Sequence, residues 1–146
     1  MIGSLIVVAD QLTKRAVVAA FHPGESLPLL SPILHLTYVQ NTGAAFGLFK
    51  GQQTFFIITS LLVIAWVVWE LLTKPAHSRR VLWGCALIWG GAIGNLIDRV
   101  RLGYVIDFFD LRVWPVFNVG DSAITIGVGL LILDMLRTRR ASPPHP

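Results

Sequence analysis

The acidic residues are the side chains of this sequence best suited to chemistry, and half of them lie close together. The chain of 146 residues has eight acidic residues, and four of them fall between positions 98 and 121: Asp98, Asp107, Asp110 and Asp121. Two carboxyl groups that converge can divide acid and base roles between them, one protonated and one ionised. Spread through the depth of a membrane, the same groups would instead suit a proton relay.

Asp107 and Asp121 are predicted to have unlike environments. Asn118 precedes Asp121 by three residues, which is typical of an asparagine that caps a helix. The helix dipole stabilises a carboxylate in such a first turn. Asp107 lies among apolar and aromatic residues in YVIDFFD, where loss of water favours a protonated carboxyl. The pair therefore suits the roles of base and acid, although Asn-x-x-Asp alone is often only a helix cap, and Ser122 leaves serine chemistry as a weaker alternative.

The segment GNLIDR carries a second polar group. It places Asn95, Asp98 and Arg99 on one face of a helix, and we expect Asp98 and Arg99 to form an ion pair at the membrane edge. Asp110, close to Arg112, is expected to lie in a solvated loop. The four histidines are scattered, and a single cysteine allows neither a disulfide framework nor a cysteine-based metal cluster. We therefore expect no metal and no cofactor.

Composition indicates that lipid surrounds most of the chain. Hydrophobic residues make up 54% of it and charged residues 14%, with a mean hydropathy of +0.67, whereas soluble domains have about 25% charged residues. The net charge of +4 does not indicate nucleic acid, because the basic residues lie mostly between apolar runs. Four segments are long and apolar enough to be predicted spans, for which about 20 residues are needed: 1–21, 54–72, 81–97 and 117–136.

Charged residues interrupt the first of these segments. Asp10 and Lys14 are four residues apart in the favourable order for a helical ion pair, and we interpret them as a structural polar pair. A cleaved signal peptide is the alternative, but the charges lie where cleavage should occur. Because the chain begins inside an apolar run, we expect a short cytoplasmic leader before it.

Basic residues orient the four predicted spans. They are concentrated in 74–80 and 137–140, which places both termini and the tail 137–146 in the cytoplasm. The segment 22–49 is then extracytoplasmic, and its prolines and β-branched residues predict short strands. The predicted fold class is an all-α membrane protein, a single domain forming a bundle of four transmembrane helices with a small extracytoplasmic β-like region between spans one and two.

Five blocks in order along the chain carry a family resemblance. They are DQLTK at 10–14, NTGAAFG at 41–47, GGAIGNLIDR at 90–99, VIDFF at 105–109 and FNVGDSAITIG at 117–127. The chain resembles the lipoprotein signal peptidases (type II signal peptidases), four-helix membrane aspartyl proteases of bacteria. The resemblance implies that Asp107 and Asp121 are the catalytic pair. It also implies that six residues bind substrate or support the active site: Asn41, Gly43, Asn95, Asp98, Arg99 and Asn118.

The resemblance further implies a substrate and a setting. The substrate is a prolipoprotein whose cysteine carries diacylglycerol, cut just before that cysteine at the extracytoplasmic face of the bacterial inner membrane. Membrane lipids and family-type inhibitors such as globomycin are the other expected partners, and the chain is expected to act as a monomer. Gly120 departs from the family, which usually has alanine there. A small transporter and a non-enzymatic assembly protein are the alternatives from other classes, but acids clustered at one membrane edge favour the protease.

Overall fold

Helices make up most of the chain. The computed structural model describes residues 1–43, 51–74 and 77–141. Within these ranges the elements follow one another as α1 (Ile2–Ala20), β1 (Ser26–Leu30), β2 (Leu34–Asn41), α2 (Gln53–Thr73), α3 (Arg79–Leu102), β3 (Val105–Asp110) and α4 (Val119–Ala141). The prediction of a mostly helical protein with a small β region is confirmed.

Three of the described helices are long and apolar enough to cross a membrane: α2, α3 and the part of α4 from Val119 to Arg137. Helix α2 is the clearest candidate for contact with lipid. Its most apolar 18-residue stretch has a mean hydropathy of 2.3, and Val67 is its one buried residue, so most of its apolar side chains are exposed. Helix α1 is not among the three, and its sequence contains Asp10, Lys14 and Arg15. The structure therefore supports a multi-pass membrane protein with three candidate spans, where the sequence predicts four.

Helix α3 is central and packs against each of the other three helices. Glycines allow a close approach to α4: a Cβ on Gly84 would lie 2.9 Å from the carbonyl oxygen of Gly127, and one on Gly127 would lie 2.7 Å from that of Gly84. Gly91 and Gly120 meet in the same way nearer the start of α4. Small residues let helix backbones approach this closely in a membrane. The glycines thus fix the first turn of α4 against α3.

The strands form one antiparallel sheet in the order β1-β2-β3. Strands β1 and β2 lie in the segment 22–49, where the sequence predicts short strands, whereas β3 comes from the connection between α3 and α4, where the sequence pattern predicts none. In the register of β2 and β3, Val39 lies opposite Asp107 and Asn41 lies opposite Val105. The pairing therefore brings the end of β2 beside Asp107.

A cluster of buried residues attaches the sheet to the helices. Val17 of α1 packs with Tyr38 of β2 and with Ile106 and Phe108 of β3. Gly103 is the C-cap of helix α3, and its φ of 80° is the left-handed conformation that glycine adopts most readily. The chain then continues into β3. Asp107, in the middle of this strand, contacts Asn118 at the start of α4.

Candidate active site

Asp107 and Asp121 lie on different elements, and both line one cavity of about 310 Å³. Asp107 is in the middle of β3 and is 2% exposed. Asp121 is in the first turn of α4 and is partly buried. Aromatic residues contribute apolar walls to the same cavity, among them Phe56, Trp114 and Phe117. The cavity thus offers two carboxyl groups to a molecule that enters it.

Neutral amides hold the Asp107 carboxyl. Asn41 donates from Nδ2 to Oδ2 at 2.9 Å, and Asn118 donates from Nδ2 to Oδ1 at 2.7 Å. Burial raises the pKa of Asp107 to about 7, and the nearby charge of Asp121 adds to the rise, whereas the two amide hydrogen bonds and the charge of Lys14 lower the pKa. Asp107 therefore keeps its proton up to about neutral pH.

Asp121 is held by a reciprocal helix cap. Asn118 accepts the backbone N–H of Asp121 at 2.8 Å, and Asp121 accepts the backbone N–H of Asn118 at 3.2 Å. This is the geometry of a capping box, with an aspartate in the third helical position. Asn95 donates from Nδ2 to the other oxygen of Asp121 at 2.8 Å. The interpretation of Asn-x-x-Asp as a helix cap is thus correct. Asp121 also lines the cavity, and Asn118 also contacts Asp107, which lines it.

A buried lysine lies behind the two carboxyl groups. Lys14 is 1% exposed, and its Nζ lies 2.8 Å from carboxylate oxygens of both Asp10 and Asp98. It also donates to Oδ1 of Asn95 at 2.9 Å. The predicted Asp10–Lys14 pair is present, but it is part of a larger group. The expected ion pair between Asp98 and Arg99 is wrong, because consecutive helical residues do not face each other and Asp98 turns to Lys14.

The polar groups form one connected network. Asn95 links the two layers, since its Oδ1 accepts from Lys14 and its Nδ2 donates to Asp121. The Nδ2 of Asn118 also lies 3.1 Å from Oδ1 of Asn95. Asp10 in turn accepts the backbone N–H of Gly120 at 2.8 Å. The amide of Asn95 is therefore oriented by donors on one side, which leaves its own donor to face Asp121.

Two more of the predicted site residues lie at the rim of the cavity. Arg99 lines it, with its guanidinium carbon 5.0 Å from the centre of the Phe56 ring. Gly43 also lines it and donates its N–H to Oδ1 of Asn41 at 2.9 Å. The rest of the predicted NTGAAFG block, from residue 44 onward, lies outside the described residues. Each site residue predicted from the sequence, apart from Asp98 and the Asp10–Lys14 pair behind it, thus lines the cavity or contacts Asp107 or Asp121.

Two residues differ from their predicted roles. Asp110, expected in a solvated loop, is 7% exposed and accepts a hydrogen bond from the hydroxyl of Thr37 at 2.7 Å. Gln11, which the sequence assigns no role of its own, donates to Asp98 at 2.9 Å and to the carbonyl of Gly94 at 3.2 Å. The signal for Gln11 is its place in the DQLTK block, between Asp10 and Lys14.

Comparison with known proteins decides the family. The model of the signal peptidase (SPase) II family matches residues 2–137. The chain belongs to the signal peptidase II family. The family is one of membrane aspartic peptidases, and its reaction is removal of the signal peptide from prolipoproteins.

Relatives and a solved structure agree with this membership in signal peptidase II. The chain is 50% identical over 138 residues to the lipoprotein signal peptidase of Syntrophomonas wolfei, covering 93% of this chain and 91% of that protein. It is 45% identical over 129 residues to that of Halothermothrix orenii, covering 88% of each. A solved bacterial membrane enzyme superposes with a TM-score of 0.92 at 32% identity, covering 99% of this chain and 91% of the other. The similarity therefore extends over almost the whole chain.

Proposed function

We propose that Asp107 and Asp121 are the aspartyl dyad with which this signal peptidase II carries out its reaction. The observation that carries the proposal is the shared cavity, into which both carboxyl groups are presented by neutral amides rather than by cations. A carboxyl paired with arginine or lysine would be held ionised. A neutral amide donor favours the ionised form less than a cation does, so a buried carboxyl held by amides can keep its proton.

The proposed reaction uses water directly. The Asp121 carboxylate takes a proton from a water molecule while the water oxygen bonds to the carbonyl carbon of the scissile peptide. Asp107, protonated below about pH 7, donates its proton toward the carbonyl oxygen. When the C–N bond breaks, Asp121 gives the proton it took from water to the leaving nitrogen. Asp107 takes back a proton from a hydroxyl of the tetrahedral intermediate as that hydroxyl becomes the new carbonyl oxygen, so the dyad returns to its starting state. No bond forms between protein and substrate.

The proposed substrate is a prolipoprotein with a diacylglyceryl-modified cysteine, cut on the amino side of that cysteine. The cavity suits a peptide held at a membrane surface, because Phe56 of α2 and Ile124 of α4 provide apolar walls beside the two carboxyl groups. Arg99 lies at the rim and offers several N–H donors in a planar fork. We assign Arg99, Asn41 and Gly43 to orienting the peptide backbone.

The direct test is cleavage by the purified chain. We expect release of the signal peptide from a diacylglyceryl-modified prolipoprotein and not from the same precursor without lipid. Equal cleavage of both would overturn the proposed lipid requirement, and cleavage of neither would overturn the function. We also propose that globomycin blocks the reaction and that the chain acts as a monomer.

The reaction is expected to slow as pH rises through about 7. Asp107 has a raised pKa of about 7, so it is protonated below that pH and loses its proton above it. An acid that has lost its proton cannot assist the carbonyl oxygen, and kcat/KM should therefore fall on the alkaline side. A pH profile of kcat/KM measures this, with Asp110→Asn as the control that should leave the profile unchanged. A rate that stays constant or rises across this range would contradict Asp107 as the acid.

We further propose that α1 is a fourth span of the bacterial inner membrane and that the cavity faces away from the cytoplasm. The charges of α1 support this, because Asp10 and Lys14 are buried against α3 rather than exposed to lipid. Helix α1 has 19 residues, or about 28 Å at 1.5 Å per residue, which is close to the thickness of the hydrocarbon core.

Cysteine labelling tests this orientation. In a Cys85→Ser background, a cysteine at Glu25 is expected to react with an impermeant maleimide on intact spheroplasts. Cysteines at Ile2 and at Lys74 are expected to react only after permeabilisation. Labelling of Ile2 from outside would show that α1 does not cross, and labelling of Lys74 from outside would reverse the orientation.

A further inference from the structure

A second cavity lies between α1 and α3. Its volume is about 270 Å³, and no residue that lines it also lines the cavity of the two aspartates. Lys14 and Asp98 form its inner wall and are already bound to each other. The reaction proposed above does not use this space, so it needs an explanation of its own.

Two arginines lie at this second cavity without a partner. Arg15 of α1 and Arg101 of α3 both line it and both are exposed. Neither forms an ion pair or a side-chain hydrogen bond with another residue in the described part of the chain. Charged side chains in or near the hydrocarbon are costly and are normally paired. The arrangement therefore calls for an anion from outside the chain.

The rest of the lining is apolar. Val18 and Ala19 of α1 and Leu102 of α3 lie beside the arginines. The two helices run side by side here, since Gln11 contacts the Gly94 carbonyl and the next turn of α1 contacts Asp98. A ligand that fits has a negative group for the arginines and a hydrocarbon portion for the surface next to them. That is the chemistry of an anionic lipid.

We propose that this cavity binds an anionic phospholipid, with its phosphodiester between Arg15 and Arg101 and an acyl chain along Val18 and Leu102. The two guanidinium groups match phosphate oxygens in charge and geometry. Lys14, Arg15 and Arg101 carry three positive charges. Asp10 and Asp98, both paired with Lys14, carry two negative charges, so the net charge around the cavity is one positive charge. One phosphodiester neutralises that charge.

The ligand is a lipid of the bilayer and not the substrate. The diacylglyceryl group on a prolipoprotein cysteine has no phosphate, and it would leave both arginines unpaired. Basic side chains near a membrane surface attract the phosphate of a lipid headgroup. The site is therefore separate from the proteolytic one, and its occupancy is measurable without any cleavage assay.

Native mass spectrometry of the full chain in detergent tests the proposal. Dioleoyl phosphatidylglycerol is titrated against the wild-type chain and against Arg15→Gln/Arg101→Gln. We expect the Kd of the first bound lipid to rise about tenfold or more in the variant, since each arginine near a lipid surface contributes about 1 kcal/mol. Dioleoyl phosphatidylcholine is expected to bind more weakly to the wild type and to respond little to the change.

The matched control removes two arginines at the opposite end of α3. Arg79→Gln/Arg80→Gln alters net charge equally and is expected to leave the first Kd within about threefold. Equal weakening in both double variants would mean attraction of lipid by overall charge, and would overturn the site, as would equal affinity for the two lipids. If the double variant at Arg15 and Arg101 does not fold, the single variants are measured, and an unchanged Kd in both overturns the proposal.

Discussion

Asp107→Asn and Asp121→Asn are each expected to reduce cleavage of a prolipoprotein by at least about a hundredfold while leaving the protein folded. Asparagine keeps the size of the side chain, and its single amide oxygen can still accept one of the two hydrogen bonds that each carboxyl receives, such as those from Asn41 and Asn95. It cannot exchange a proton, and loss of acid–base catalysis typically costs 10²–10⁴-fold in rate. Signal-peptide release measures the first effect, and thermal unfolding in detergent measures the second.

Asp110→Asn is the matched control for this change. Asp110 belongs to the same strand as Asp107 and is also buried, but it bonds Thr37 and does not line the cavity. We expect it to keep most of its cleavage rate. Activity above about a tenth of wild type in either dyad variant would contradict the proposed catalytic roles, as would an equal loss in all three variants.

Lys14→Met is expected to lower the free energy of unfolding by about 3–5 kcal/mol. The change leaves the carboxylates of Asp10 and Asp98 buried without their cation, and breaking a buried ionic group by removing one partner costs about this much. Asp10→Asn is expected to cost roughly half as much or less, since Lys14 keeps Asp98 and the new amide oxygen can still accept from Gly120. Unfolding by heat or denaturant compares the two variants.

A catalytic readout separates positioning by Lys14 from simple stability. Lys14 donates to Asn95, whose amide then donates to Asp121, and its charge lowers the pKa of Asp107. In Asp10→Asn/Lys14→Met, which should recover part of the stability, we expect a lower kcat and an alkaline limb of the pH profile shifted to higher pH. A stable double variant with unchanged kcat and pH profile would show that the lysine only holds the helices together.

Local spacing was enough to predict part of the site. Asn118 and Asp121 are three residues apart, and a helix cap depends on nothing beyond those few residues. The partner of Asp98 could not be predicted in this way. It is Lys14, which lies on another helix, whereas spacing in the sequence indicates only neighbours on the same helix. The sequence therefore predicts Arg99 as the partner of Asp98, but adjacent residues of a helix point in different directions.

Strand β3 shows why one element could not be predicted. Alternation of apolar and polar residues predicts a half-buried strand. In VIDFFD nearly every position is buried, on both faces, because β2 and the helices cover the strand. The alternation is therefore missing, and the stretch looks like a loop with an isolated carboxyl. The short strands β1 and β2 were predictable from their prolines and β-branched residues, since both are more exposed.

Asn118 limits how far this enzyme can be redesigned. Its side-chain oxygen caps α4 while its nitrogen holds Asp107, so a single residue serves the helix and the carboxyl at once. Serine and aspartate are good substitutes for a cap alone, but neither has an amide nitrogen to give to Asp107. A programme of directed evolution that selects for both thermostability and cleavage should therefore keep asparagine at this position. Its gains will come from surfaces remote from the start of α4.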